Sequence, residues 1–586
     1  MKKYLLIALA ALGFAACAEK MDDNSPVQKG ELEESYIAIN LMSADVDTRA
    51  VTDDIGKADE YGYEKGTDAE RAIKTAYFFF FDAEGNAFNV TGNPASAPGG
   101  SVNHLSLNIT DQNPAASSLP NVSDIKNAVL VLNTYKGIYP SQIVAVLNWT
   151  PDPDRAYDLD ELHEALATIG DDTKGYVMSN SVYMDGANQI VDAVPVTTEN
   201  IKTSQADALN APIDIYVERT AAKVVLIASG KVTNENIFTT QKESDLVGSN
   251  GGTLVGAPSA IDVYVKLHGW ELYNDYSTST LLKNINTSWD VTTLGLTWND
   301  IPYFRCYWAQ SQATSQSDAF AWSYSDADKA AKGFQTNYGF NVGASANYTD
   351  RTTYTYCGEN TNQKVDATDP RTKVILKGQL MQKNGEKYEP LELARWYGTE
   401  YAGGDALKIA VANSLKHTVF SSTDQSKYDP ITPADLECVA GEAVGAKDYE
   451  VGFQLSTTGA AKTWYKYSSE KGYESFGDIA NNVNRDKAND HLKTVEPALL
   501  YAEGNTYYIV DIEHLGTAGA KYGVVRNHVY QIDIKSINGY GSPVYNGLSF
   551  IVDQPEYPIE DEASYVAARI NVLSWKIVKQ QVNVGQ

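Results

Sequence analysis

At 586 residues the chain exceeds what one hydrophobic core usually supports, so at least two domains of unequal size are expected. Its 43% hydrophobic and 11% aromatic content, with 38 Tyr, favours pleated sheets over helices. Asp and Glu number 75 against 47 Lys and Arg, and the resulting charge of −28 excludes a nucleic-acid binder, because phosphate backbones would repel such a surface.

Lys2 and Lys3 precede an apolar run from Tyr4 to Phe14, too short to span a bilayer permanently, and Ala15 and Ala16 lead into Cys17. This is the pattern of a bacterial lipoprotein signal at 1–16, with the Cys17 thiol as the acylation site. Glu19, Asp22 and Asp23 follow in a polar stretch suited to a tether, and they resemble the surface-export tag of Bacteroidetes lipoproteins. Ile37, Ile39 and Leu41 alternate within 36–43, the period of a half-buried strand, and Arg49-Ala50 comes just behind it.

Further short strands are predicted at 73–82, 104–110, 125–133, 142–149 and 190–198, separated by Gly, Pro, Asn and Asp clusters that suit a sandwich. Leu159, Leu162 and Leu166 predict one covering helix behind an acidic first turn. Across 212–228 the phase of Ile213, Ile215 and Val217 is opposite to that of Val224 and Leu226, which marks a bulge or a passage between sheets, and a domain boundary is expected there.

The second part predicts strands at 262–269, 372–382, 450–456, 496–513 and 522–537, and a helix N-capped by Asp405 with Leu407, Val411 and Leu415 on its apolar face. The polar, Tyr-rich stretch 310–365 is expected to form long surface loops. In the tail, Ile570 and Val572 lie on one phase, Leu573, Trp575 and Ile577 on the other, and Val582 and Val584 return to the first. A strand apolar on both sides needs cover on both sides, and about 18 extended residues reach roughly 55–60 Å. A last strand tucked into its own sandwich is the simpler alternative.

Chemistry-bearing patterns are sparse. Asp152, Asp154 and Asp158 begin like a calcium loop, but Ala156 and Tyr157 stand where a ligand and a glycine are needed. The seven histidines form no HExxH, no GxSxG occurs, and Gly539-Tyr540-Gly541 reads as a turn. Cys306, Cys357 and Cys438 have no ligand spacing and cannot all pair within the chain, so buried free thiols are expected, with no metal and no cofactor. A catalytic role is not expected. Carboxylate pairs for glycoside hydrolysis remain an alternative in any acidic β protein, so a surface lipoprotein that binds or degrades glycans is the rival reading.

Several stretches in order carry a family likeness: the Cys17 signal, Ile143–Trp149 (IVAVLNW), Tyr176–Ser181 (YVMSNS), Tyr216–Val225 (YVERTAAKVV), Tyr356–Thr361 (YCGENT), Val525–Val544 (VRNHVYQIDIKSINGYGSPV) and Ile570–Val584. With these the chain resembles the Bacteroidales fimbrillins, or type V pilins, and is most like the shaft subunits of minor fimbriae. The resemblance implies a mainly β fold of two tandem transthyretin-like β-sandwich domains, with a few short helices and a C-terminal donor strand. Mapped onto this sequence it implies a propeptide at 17–49 that includes the removable first strand, domains at 50–212 and 213–565, and a donor strand at 566–586. An arginine-specific protease would cut between Arg49 and Ala50, and the freed groove would take a neighbour's Ile570, Val572, Leu573, Trp575, Ile577, Val582 and Val584. Implied partners are other copies in the polymer, accessory tip and anchor subunits, the protease, and a host or bacterial surface receptor. The implied location is a fimbrium on the cell surface, with a precursor anchored by lipid to the outer membrane. A tip or adhesin subunit is the alternative within the family.

Overall fold

The computed structural model describes residues 32–43, 67–90, 102–106, 110–111, 124–135, 138–181, 183–184, 190–233, 235–241, 254–257, 261–273, 275–284, 354–362, 371–446, 450–479, 482–514, 522–544, 565–574 and 577–579. The protein is mostly β, with several sheets and a few short helices.

The first sheet is built from β1 (Leu32–Ser43), β2 (Ala76–Phe81), β3 (His104–Ser106), β4 (Thr110–Asp111), β5 (Asp124–Tyr135), β6 (Gln142–Leu147), β7 (Met178–Asn180) and β8 (Ile213–Arg219). Its order is β3-β2-β6-β7-β8-β1-β5-β4, with Val194–Pro195 also paired to β6. One core draws Phe78, Phe80, Ile143 and Ala145 from one end of this order and Ile37, Ile39, Leu130 and Leu132 from the other, so the sheet closes its two arms over a shared interior. The unbroken Phe78–Phe81 run follows from this: Phe78 and Phe80 enter that core, while Phe79 and Phe81 enter a second one on the opposite face. Leu162, Tyr157, Leu281 and Leu282 cover this outer face. Leu162 comes from the predicted helix, which spans Leu159–Glu164, and Leu166 already begins a short strand.

Between Arg219 and Ala221 the chain passes from the first sheet into the second. Ile213, Ile215 and Val217 face the first core, and Ala222, Val224 and Leu226 face the second, which accounts for the reversed phase in the sequence. The second sheet comprises β9 (Ala221–Ile227), β10 (Ile237–Gln241), β11 (Val263–Tyr273), β12 (Tyr354–Gly358), β13 (Lys373–Asn384), β14 (Asn505–Asp511), β15 (His528–Asn538), β16 (Tyr565–Ser574) and β17 (Ile577–Lys579). They run in the order β12-β9-β15-β10-β11-β13-β14, with β16 on β15 and β17 on β16. Val224, Tyr530 and Ile532 from one half meet Val265, Trp270 and Leu376 from the other in a single core.

Between β13 and β14 lies an insertion with a core of its own, formed by Leu407, Val411, Phe453, Trp464 and Leu492 among others. Its main helix spans Gly403–Leu415, with Leu407, Val411 and Leu415 buried as expected. Asp405 is not its N-cap: it sits inside the first turn, and the Glu392 carboxylate accepts from the Gly404 N–H at 2.8 Å in its place. Of the stretch read as surface loops, residues 354–362 are described, and β12 within it is an edge strand whose Cys357 is fully buried, because its side chain joins the second core.

Candidate strand-exchange site

β1 has neighbours along both edges. It pairs antiparallel with β5 along its whole length, from Leu32 opposite Tyr135 to Ser43 opposite Asp124. Its C-terminal half also pairs parallel with β8, from Ile39 beside Ile213 to Ser43 beside Val217. Ile37 and Ile39 are 0% exposed and lie in the first core. Leu41 shares their phase and pairs through its backbone with Lys126 and Ile215. Around β1 the slot is lined by Ala128, Leu130 and Leu132 of β5 and Ile213, Ile215 and Val217 of β8, all buried.

The C-terminal tail occupies a different place. β16 runs antiparallel along β15 of its own sheet, with Ile570 opposite Ile532, Val572 opposite Tyr530 and Leu573 opposite Val529. β17 then folds back on it, with Ile577 opposite Leu573. The described tail is therefore a hairpin, not the single long strand expected from its sequence. Cys17, Arg49, Ala50, Trp575, Val582 and Val584 lie outside the described residues.

Sequence reading missed a second feature, a cluster of buried charges where the two sheets meet. Glu70, in the short helix Asp68–Arg71 ahead of β2, and Lys223 of β9 form an ion pair at 3.0 Å with both side chains 0% exposed. The Tyr356 hydroxyl donates to the same Glu70 oxygen, and Arg219 Nε donates to the Glu70 carbonyl at 2.8 Å. Burial alone would raise the Glu70 carboxyl, but Lys223, Arg219 and the Tyr356 hydroxyl hold it below the usual carboxylate range. Burial, with Glu70 beside it, drives the Tyr356 hydroxyl far above the ordinary tyrosine range. Close by, Lys283 pairs with Glu218 at 2.6 Å, and Arg526 pairs with Glu359 at 3.3 Å while donating to the Thr280 carbonyl at 2.9 Å. The cluster unites the YVERTAAKVV, YCGENT and VRNHVY stretches. Their visible signal was charge inside apolar strand runs, Glu218-Arg219 and Lys223 above all.

Cys357 and Cys438 are buried, and burial raises both thiols, Cys438 to about 12. Cys306 lies outside the described residues. Among the described residues no group of three or more His, Cys, Asp or Glu is arranged to hold a metal ion, and no helix is long and apolar enough to cross a membrane.

Residues 499–581 match the family model described as major fimbrial subunit protein type IV, fimbrillin, C-terminal. Comparison with curated proteins returns no match. Among solved structures, the chain is similar to a fimbrilin of Porphyromonas gingivalis, at 12% identity over 94% of this chain and 98% of that one, with a TM-score of 0.33. It is also similar to the tip fimbrial protein Mfa3 of the same organism, at 10% identity over 92% and 100% of the two chains, with a TM-score of 0.28. A fimbrial assembly protein of Parabacteroides distasonis is similar at 10% identity over 74% and 100%, with a TM-score of 0.26.

Proposed function

From the premise that residues 499–581 are a fimbrillin C-terminal region, we propose that the chain is a structural shaft subunit of a cell-surface fimbria, polymerised by donor-strand exchange. The chain is exported as a lipoprotein acylated at Cys17 and carried to the outer membrane. An arginine-specific protease cuts between Arg49 and Ala50, β1 leaves, and the tail of another copy enters the slot. The division into two domains, with the crossing near Thr220, belongs to the same proposal, as do tip and anchor subunits at the ends of the polymer and a surface receptor.

The observation that carries this reading is the two-sided pairing of β1. Excision of an edge strand would bare one row of backbone groups. Excision of β1 would bare two facing rows, on β5 and β8, together with an apolar floor, and such an edge templates pairing with another chain. Because tail and slot are different surfaces, the contact is heterologous and propagates as an open fibre.

A glycan-binding platform would need exposed aromatic faces. Tyr467 and Tyr473 of the insertion are each 41% exposed, but Tyr473 stacks on Tyr428 at 3.8 Å and meets the rings of Phe420 and Tyr467, so its faces are taken by neighbours. Tyr397, 72% exposed beside Trp396, is the aromatic that stays open among the described residues of the insertion, and a single ring makes no platform.

The test is to treat purified precursor with an arginine-specific protease, beside a chain ending at Tyr565. The full chain is expected to give a ladder of oligomers on a gel and the shortened one a single band. A cleaved full-length chain that stays monomeric overturns the proposal.

A further inference from the structure

Several arginines follow Arg49, and the first among the described residues is Arg71. An arginine-specific protease that cuts after Arg49 meets the same chemistry 22 positions later. What sets Arg71 apart is the way its neighbours are held.

The backbone on both sides of the Arg71–Ala72 bond is engaged. Upstream, the Thr67 and Glu70 side chains cap each other's backbone, at 3.2 Å from the Glu70 N–H to Thr67 Oγ1 and 2.7 Å from the Thr67 N–H to Glu70 Oε2. The Arg71 N–H donates to the Thr67 carbonyl at 3.1 Å, and the Ala72 N–H donates to the Ala69 carbonyl at 3.3 Å. Downstream, Asn148 Nδ2 donates to the Ala72 carbonyl at 2.8 Å, and the Lys74 N–H donates to Asn148 Oδ1 at 2.6 Å. The Arg71 guanidinium pairs with Asp68, and its side chain is only 17% exposed. Beneath the turn, Glu70 is bound to Lys223 and Tyr356 of the second sheet, and its carbonyl accepts from Arg219.

A protease binds its substrate extended over several residues on each side of the scissile bond, so a helical turn must open before it is cut. When opening and closing outpace cleavage, the rate follows the population of the open form. The Glu70 anchor sets that population here, because opening the turn draws a buried carboxylate away from its cation.

We infer that Arg71 is a latent second processing site, held shut by the Glu70 anchor, so that an arginine-specific endoprotease leaves this part of the chain joined to the second sheet. A cut at Arg71 would sever Glu70 from the chain that continues into β2, and the N-terminal end of the mature protein would lose its tie to Lys223. The inference deepens the shaft-subunit reading, since it explains how a protease of that specificity stops after releasing β1.

The test uses the full-length precursor, an arginine-specific endoprotease and intact-mass analysis of timed samples. Glu70→Gln removes the charge, and Tyr356→Phe removes a single hydroxyl with little risk to folding. Products ending at Arg49 and at Arg71 differ in mass, so failure of the Arg49 cut and failure of the anchor are read separately. In the unaltered protein the Arg71 product is expected to be absent or slow. In at least one variant it should form about tenfold faster or more, while Arg371 and Arg526, both buried, stay uncut as reporters of global unfolding. The inference is overturned if the unaltered chain is cut at Arg71 as fast as the variants or if neither variant is cut there. Fragmentation of both variants at the buried arginines at the same rate as at Arg71 also overturns it.

Discussion

At the scale of single residues, the buried Glu70–Lys223 pair makes stability depend on acid in a direction that can be worked out. The Glu70 carboxyl is held below the ordinary glutamate range in the folded protein, so the stability it contributes is fully present above the unfolded value and is lost as pH falls through the folded one. Removing one partner of a buried pair costs about 3–5 kcal/mol, because the other charge stays buried beside neutral groups. Glu70→Gln should therefore melt well below the unaltered protein at pH 7, and the gap should narrow in acid, beginning near the unfolded glutamate value of about 4.3, where the unfolded chain takes up the proton before the native carboxyl does. Thermal melts of both proteins at pH 7, 5 and 3.5 check this, and a gap that widens in acid refutes it. Of this pair the sequence showed only Lys223, a charge set inside an apolar strand run. Alternation alone identified Ile37 and Ile39 as inward-facing, and they are buried. Glu70 and Lys223 stand 153 positions apart, and nothing local distinguishes a carboxylate that will be buried against a lysine from one that will face water.

Among the strands and helices, local pattern found most of the elements and missed what depends on distant partners. The opposed phases on either side of Thr220 were legible because each strand buries its own face in a separate core. The Asp405 cap was misread because the real cap, Glu392, comes from the loop ahead of a neighbouring strand and replaces a local signal. The tail was misread for a similar reason, since apolar residues on both phases describe a strand covered twice and also a hairpin. If the same tail fills the slot vacated by β1, its register must put one phase inward, because a slip of one residue turns every side chain over. Val566, Ala568, Ile570 and Val572 repeat the alternation of Ile37, Ile39 and Leu41, while Arg569 and Asn571 suit the outer phase. Ile570→Asp should therefore abolish the protease-induced ladder, and Asn571→Asp should leave it at its normal extent on the same gel. Equal loss in both would mean that the tail does not enter with that phase.

At the scale of the whole molecule, charge bears on assembly. Residues 1–49 hold five of the 47 basic and eight of the 75 acidic residues, so the part that follows Arg49 carries −25. If cleaved subunits polymerise as proposed, two of them repel as they approach, although the strand that would join them is apolar. The barrier lies in the long-range approach, where screening acts, and not in the joint, where side chains are dry and salt has little reach. Chain growth by a cleaved subunit should therefore speed up with ionic strength, while the finished polymer resists dissociation at low and high salt alike. Salt also strengthens apolar association, but sodium sulfate and sodium chloride at equal ionic strength separate the two effects, since sulfate is the more strongly excluded from apolar surface. Light scattering should show growth several times faster at about 0.15 M than at about 0.01 M, where the screening length falls from about 30 Å to about 8 Å, with similar rates in the two salts. Growth that ignores ionic strength would place the slow step in freeing the tail from β15, where its hairpin lies in the monomer, and would make release of the donor strand the event that limits assembly.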